Sequence, residues 1–324
     1  MNKLIKKVNA KKSILIGFSI SGICLWLVIR KINVENFLSA FTNVTYSYVL
    51  VIAVFLALGL TFRAIRWRIV AGDSSRLLSV YSRATNIGIL SNMILPLRAG
   101  ELVRIATFQK LSGAKLATPV VSALVDRFID IFVLLLCTIF LYAYFPVNTK
   151  INQWLFIFIV ICLVLVFFTI VLLKSIGKLQ AIVTFFSARW LKHWHMRLET
   201  FITELKIEFN NILKSCLSIK LILIAILVLL VDYIAVLATL FSFNLELPNI
   251  AALLLWVFLA LGSALPSAPG YVGVYQIASI LALSYFSVEA SMAVAVASVL
   301  QFTTFMVVIS MIGLSFVKES WKSF

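Results

Sequence analysis

The decapeptide Leu95-Pro96-Leu97-Arg98-Ala99-Gly100-Glu101-Leu102-Val103-Arg104 interrupts an otherwise apolar chain. It sets a helix breaker, a glycine and three ionisable residue positions (98, 101 and 104) between the apolar run 87–95 and another that begins near Ala117, in a sequence with only 12% charged residues. Proline removes an N–H and clashes with a continuing helix, and glycine admits backbone angles that other residues avoid, so a helix is predicted to stop here and turn back. At membrane depth the freed backbone groups and the charges have to face protein or water, because an unpaired polar group in hydrocarbon costs several kcal/mol. The stretch is therefore a candidate functional site.

Composition places the chain in the membrane class. Its 324 residues are 63% hydrophobic, the mean hydropathy is +1.10, and several apolar runs reach the ~18 residues that cross a bilayer core. The net charge of +16 does not indicate a nucleic-acid partner, since Lys and Arg cluster between apolar runs instead of forming one basic face. The first run, 13–29, follows Lys3, Lys6, Lys7, Lys11 and Lys12 but lacks a small-residue cleavage pattern, so it reads as a retained helix and not a signal peptide. Cys24, Cys137, Cys162 and Cys216 are far apart and suggest packing, with neither a disulfide framework nor a metal site. His193 and His195 diverge on a helix, and no nucleophile-elbow, zinc-protease, Walker or Asp-rich prenyl-pyrophosphate motif is present. No cofactor and no enzymatic activity are expected.

The predicted fold is an all-α polytopic membrane protein, a single domain over 1–324. Full spans are placed near 13–30, 47–70, 117–145, 153–173, 218–242 and 289–317, about six in all, and two regions read as broken re-entrant helical hairpins. The first, 77–110, is broken by the opening decapeptide; the second, 249–286, by Pro266-Ser267-Ala268-Pro269-Gly270-Tyr271-Val272-Gly273. If both hairpins enter and leave on one side, the N-terminal tail, 63–115, 174–220 and the C-terminal tail share a face that holds nearly all the basic residues. The other face has only Arg30, Lys31 and Lys150, which predicts a multi-pass protein of the cell membrane with both termini cytoplasmic. The same 173-residue offset separates Pro96 from Pro269 and Gly100 from Gly273, and it carries the spans at 47–69 and 117–145 onto 220–242 and 290–318. With three crossings and one hairpin per half, repeat one (13–145) and repeat two (153–317) are expected to form an inverted repeat, as in many transporters.

Residues 180–215 carry Ile182, Phe185, Leu191, Trp194, Leu198, Phe201, Leu205, Phe209 and Ile212 at helical spacing, with Lys192, Arg197, Lys206 and Glu208 between them. Two readings are open for this amphipathic cytoplasmic helix: it lies on the anionic interface, or it packs on the cytoplasmic ends of the bundle. Asp126 and Asp130 share a helix face at the start of the third span, with Arg127 adjacent; Arg98 and Arg104 are candidate partners for this trio. A structural ion pair at the interface is the plainer alternative. Asp232 lies in the apolar run 221–240 with no charge within a turn, so it is expected to be protonated or partnered across the bundle. Gly270, Gly273 and Gln276 open the return arm of the second hairpin, where a helix N-terminus attracts anions and where glycines equally serve close packing.

The decapeptide, together with Asp126-Arg127-Phe128-Ile129-Asp130 and Pro269-Gly270-Tyr271-Val272-Gly273-Val274-Tyr275, resembles the lysylphosphatidylglycerol synthase transmembrane-region family over almost the whole chain. That family includes the flippase half of the multiple peptide resistance factor, and the resemblance implies a polytopic protein that moves or handles lipids. Two departures stand out: the family pattern often has Glu where this chain has Gln276, and a basic residue where it has Gln301. Only residues 318–324 follow the last span, so a stand-alone flippase-like domain without the aminoacyl-transferase is expected.

The function read from these features is transport of a lipid or lipid-linked substrate. Arg98, Glu101, Arg104, Asp126, Arg127 and Asp130 are expected to line a hydrated cavity in which arginines meet an anionic headgroup, with Asp232, Gly270, Gly273 and Gln276 as further candidates. The competing classes are a membrane-embedded enzyme acting on a lipid through Glu101, Asp126 or Asp130, and a non-transporting partner subunit. Membrane lipids are the expected partners, with a second copy or a separate membrane protein also compatible.

Overall fold

The computed structural model describes residues 19, 21–42, 44–72, 75–95, 99–146, 149–174, 195–216, 218–264 and 269–320, and every regular element among them is helical. In chain order these are α1 (21–29), α2 (Val34–Thr42), α3 (Ser47–Val70), α4 (Leu78–Ile94), α5 (Gly100–Ser112) and α6 (Ala117–Tyr144). Then come α7 (Lys150–Lys174), α8 (His195–Cys216), α9 (Ile219–Ser242), α10 (Ile250–Ala264), α11 (Val274–Leu283) and α12 (Ala290–Ser320). A short 3₁₀ turn occupies Ser284–Phe286, and Pro269–Tyr271 is a tight turn whose Gly270 lies outside helical geometry.

Among the described residues four helices are long and apolar enough to cross a membrane, Ser47–Val70, Lys150–Val171, Ile219–Ser242 and Ala290–Ser315, and they fall on four of the expected spans. The expected span at 117–145 is α6, whose 28 residues would measure ~42 Å and which carries Asp126, Arg127 and Asp130 in its first half. Of the expected span at 13–30, residue 19 and the segment 21–29 are described, and they are helical.

Neither hairpin region is one continuous helix. α4 and α5 have 17 and 13 residues, and α10 and α11 have 15 and 10. At 1.5 Å per residue all four are shorter than the ~30 Å hydrocarbon core. Of the breaking residues, Pro96, Leu97 and Pro266 lie outside the described ones. Both pairs of arms fold back on themselves through glycine. A Cβ on Gly100 would come within 2.1 Å of the Gly88 carbonyl and 2.4 Å of Asn92 Oδ1, and one on Gly88 within 2.6 Å of Arg104 Cβ. In the second hairpin a Cβ on Gly262 would lie 3.3 Å from both Ala278 Cβ and Val274 Cγ1. Removing the side chain lets two backbones approach at van der Waals distance, the device that packs helices where lipid supplies no hydrophobic driving force.

The chain forms two compact units, drawn from interleaved segments: Met1–Thr61, Thr85–Arg104 and Val228–Phe324 in the first, Phe62–Ala84 and Ile105–Leu227 in the second. In the first unit α10, α11 and α12 pack together, and the fully buried Ala293, Ala295 and Ala297 of α12 again allow close contact. Ser279 donates to the Ala293 carbonyl at 2.7 Å. Leu60, Val307 and Val308 form a second apolar cluster with Ile89 and Leu90 against it. Asn33 caps α2, its Oδ1 accepting from the Glu35 N–H at 2.8 Å. That helix is tied to α12 by Asn36 Nδ2 donating to Glu289 at 2.8 Å.

In the second unit Trp67, Tyr81 and Phe108 stack mutually, with centroids 4.8–5.3 Å apart. Each such pair contributes about 0.5–1.5 kcal/mol beyond burial. The Trp67 indole donates to Ser122 Oγ at 2.9 Å. The amphipathic helix is present as α8 over its described part, 195–216. Ile212, Leu205 and Phe209 pack with Val70, Val121, Val125, Leu221 and Ile224. Glu204 pairs with Lys115 at 2.9 Å, and Glu208 accepts from Thr118 at 2.6 Å. Of the two readings of this helix, packing on the bundle is the one found for 195–216; residues 180–194 lie outside the described ones. On α7 only 11% of the apolar window is buried, as suits a helix with lipid on most sides.

The glycine contact generates a stability prediction. Gly100→Ala forces a methyl into the Gly88 carbonyl and should destabilise by about 1–3 kcal/mol, the range of overpacked cores. Gly313→Ala, with nothing within 4 Å of the added carbon, should be neutral. Thermal unfolding of the two variants in one detergent checks this; equal midpoints would mean that the α4–α5 contact is not tight.

Candidate functional site

The strongest electrostatic feature is a four-charge cluster in the second unit. Asp126 and Asp130 stand one helical turn apart on α6, and the guanidinium of Arg66 on α3 bridges them. Arg66 Nε donates to Asp126 Oδ1 at 2.8 Å and Nη2 to Asp130 Oδ1 at 2.6 Å. Arg127 Nη1 donates to the other oxygen of Asp130 at 3.0 Å. The rigid guanidinium fork suits this task, since its N–H groups point at two acceptors simultaneously. The cluster sums to zero charge, which is how ionised groups persist among apolar helices. Accessibility grades across it: the Arg66 and Asp126 side chains are 2% exposed, Asp130 30% and Arg127 40%.

The trio on α6 is therefore partnered, and the cation that bridges both carboxylates is Arg66. Of the candidate partners, Arg98 lies outside the described residues, and Arg104 pairs with Glu101. Arg66 escaped notice because the basic residues from position 63 onward read as a topological flank.

In the first unit the described part of the opening motif, 99–104, leads into and forms the start of α5. Gly100 begins α5, and its N–H is received by Asn92 Oδ1 of α4 at 2.8 Å, a cap supplied from the neighbouring helix. Asn92 Nδ2 reaches Glu101 Oε1 at 3.4 Å. Glu101 sits in the first turn of α5, where a negative charge favours the helix dipole. Its other oxygen lies 3.9 Å from Arg104 Nη1, and Arg104 is 3% exposed. Glu101 and Arg104 are thus brought together.

The tip of the second hairpin is built from amides. Gly270, Tyr271 and Gly273 have φ of 71°, 59° and 85°, the left-handed region that only glycine enters without strain. Gln276 reaches back as its Oε1 accepts the Gly273 N–H at 2.8 Å, one half of a capping box. Gln276 Nε2 donates to Gln301 Oε1 of α12 at 3.0 Å, and Gln301 Nε2 donates to the Gly270 carbonyl. The Gly273 N–H is thus taken by Gln276. Gly273 also serves close packing, since a Cβ there would lie 2.8 Å from the Ser21 carbonyl of α1. The two positions at which the sequence departs from the family pattern, 276 and 301, touch each other. The turn also lies beside the end of α4: a Cβ on Gly270 would lie 3.6 Å from the Met93 carbonyl.

Asp232 on α9 is half-buried and receives the Trp256 indole N–H of α10 at 3.4 Å, so it is partnered across the first unit. Among the described residues no group of three or more His, Cys, Asp or Glu side chains could hold a metal ion.

The cluster makes a prediction of its own. Asp126→Ala leaves a buried guanidinium short of one carboxylate and should cost about 3–5 kcal/mol, whereas Arg66→Met/Asp126→Leu should recover part of that loss, because apolar replacement of a buried pair is often tolerated. Folded yield and unfolding midpoint in detergent measure both; a double variant that adds the full losses of its single variants would show the residues to be uncoupled.

No curated protein matches this chain. No solved structure matches it either. The model of the family described as the lysylphosphatidylglycerol synthase TM region matches residues 14–313, with the Asp126–Asp130 motif and both hairpin tips inside the match, and the chain belongs to that family.

Proposed function

We propose that this protein moves a lipid with an anionic headgroup between leaflets, as a flippase-like transporter, and that Arg127 binds the headgroup. The observation that carries this reading is the graded accessibility of the charge cluster. Arg66 and Asp126 are enclosed, while the Arg127–Asp130 end is accessible. A lipid phosphate offers two non-bridging oxygens that the planar guanidinium fork can hold in bidentate fashion. Asp130 is shared by two arginines, so when a phosphate takes Arg127 the carboxylate keeps Arg66 as its partner. The empty site then stays neutral, and an incoming phosphate competes with a carboxylate in place of falling into an unopposed basic pit. Acyl chains stay in the bilayer throughout.

Membership of a lipid-related membrane family supports the substrate class, and helices too short to span support re-entrant hairpins. The reading includes an inverted repeat with both termini cytoplasmic, and a transporter in place of an enzyme.

Reconstitution into vesicles with fluorescent lipids of several headgroups tests the proposal. Arg127→Ala should lower the rate of movement at least about tenfold with insertion intact, and Arg127→Lys should recover little, because a point charge does not replace a fork. Wild-type rates in Arg127→Ala would move the headgroup site elsewhere. The topology is checked by a single cysteine at position 150, expected to label from outside only; labelling from the cytoplasm alone would invert the scheme.

A further inference from the structure

We propose that Gln276 and Gln301 form an uncharged, one-way latch, which holds the turn of the second hairpin closed beside the end of α4 and opens when a headgroup passes. The direction of the latch follows from the backbone groups at its two ends. A carbonyl can only accept, so Gln301 presents its NH₂ to Gly270 and its oxygen to Gln276. Gln276 must then present its own NH₂ to Gln301, which leaves its oxygen for the Gly273 N–H, a group that can only donate. Neither amide can flip without setting donor against donor or acceptor against acceptor.

What the latch holds is a strained element. Three of the four residues 270–273 have positive φ, and one of them, Tyr271, is not glycine. Such a conformation persists where its surroundings over-determine it, and it marks segments with a second arrangement within reach. The latch supplies that constraint: it fastens both ends of the turn to a single side chain on α12 by way of Gln276, which is 8% exposed. The same turn lies against the Met93 carbonyl at the end of α4. Opening it would part the turn from α4 and release a carbonyl, an N–H and two amides, all neutral. Gln301 is thus a positioning residue that acts through the turn. The opening step rests on the transport reading; the latch itself does not.

The one-way rule states that position 276 must accept and position 301 must donate. The pair Gln276→Glu/Gln301→Lys satisfies this, since a carboxylate accepts from Gly273 and from the ammonium, which in turn donates to Gly270. The reversed pair, Gln276→Lys/Gln301→Glu, sets an ammonium against an N–H and a carboxylate against a carbonyl, although its charge and composition are identical. Hydrogen exchange of the 270–274 amides in nanodiscs reads the latch directly. Exchange at Gly273 should be slow in wild type and in the first pair, and about tenfold faster or more in Gln301→Leu, where Gln276 loses its anchor and Gly270 its donor, and in the reversed pair, where the bonds at Gly273 and Gly270 are both lost. Equal protection in the two pairs would overturn the latch. For the opening step, Gln276→Cys/Gln301→Cys joined by a short bifunctional methanethiosulfonate should stop movement of fluorescent phosphatidylglycerol in vesicles and regain it on reduction. Unchanged movement in the joined protein would overturn opening. Wild-type vesicles inert toward every lipid would overturn the transport reading and the opening step with it, and the exchange result would stand by itself.

Discussion

A backbone N–H or carbonyl freed by a break in a helix has to find its partner inside the protein when no water is at hand, and both hairpins of this protein are shaped by that demand. The first meets it with Asn92, which crosses from α4 to receive the N–H of Gly100. The second uses Gln276 on its own return arm and Gln301 on the adjacent helix. Three amides thus do at the tips what water does in a soluble loop. Amides suit the task because each carries donors and acceptors without a net charge, so the desolvation of an ion is avoided. Close approach of the arms, through Gly88 and Gly100, is what brings Asn92 within reach.

Charged groups obey the same demand at higher stakes. Arg66 and Asp126 are almost fully enclosed, where an unpaired ion would be far more costly than an unpaired amide. The cluster answers with two carboxylates on one guanidinium and a second arginine on the outer carboxylate. Its enclosed half acts as an anchor for the accessible half, so that the orientation of Arg127 through Asp130 is inherited from a contact made deeper in the unit. Binding groups held by packed neighbours keep their geometry better than groups on free loops.

Much of this was legible in the chain because it depends on local chemistry. Long apolar runs mark α3, α7, α9 and α12, the Pro and Gly of the decapeptide mark the break before α5, and the four-residue spacing of Asp126 and Asp130 puts them on one face. Other features depend on which helices become neighbours, and that is not written in any one segment. Arg66 sits among Arg63 and Arg68 at the end of α3, where a basic residue facing water and one facing carboxylates look identical in sequence. Asn92 has no charge to draw attention and does its work eight residues away across a turn. Positions 276 and 301 stood out singly as uncharged residues where the family pattern has charges. Their contact, 25 residues apart on two helices, makes them one neutral donor–acceptor pair. The two faces of α8 were readable from periodicity, but whether the apolar face meets lipid or protein depends on Val121 and Val125 of a distant helix.

The bridge between Arg66 and Asp126 also has a history in the life of each molecule. The two residues are 60 positions apart, and synthesis runs from the N-terminus, so the cation leaves the ribosome well before either carboxylate exists. During that interval Arg66 is without the two carboxylates that hold it in the folded protein. The bridge therefore closes only once the first half of α6 has been made, and this contact of α3 is set by a helix separated from it in the chain by α4 and α5.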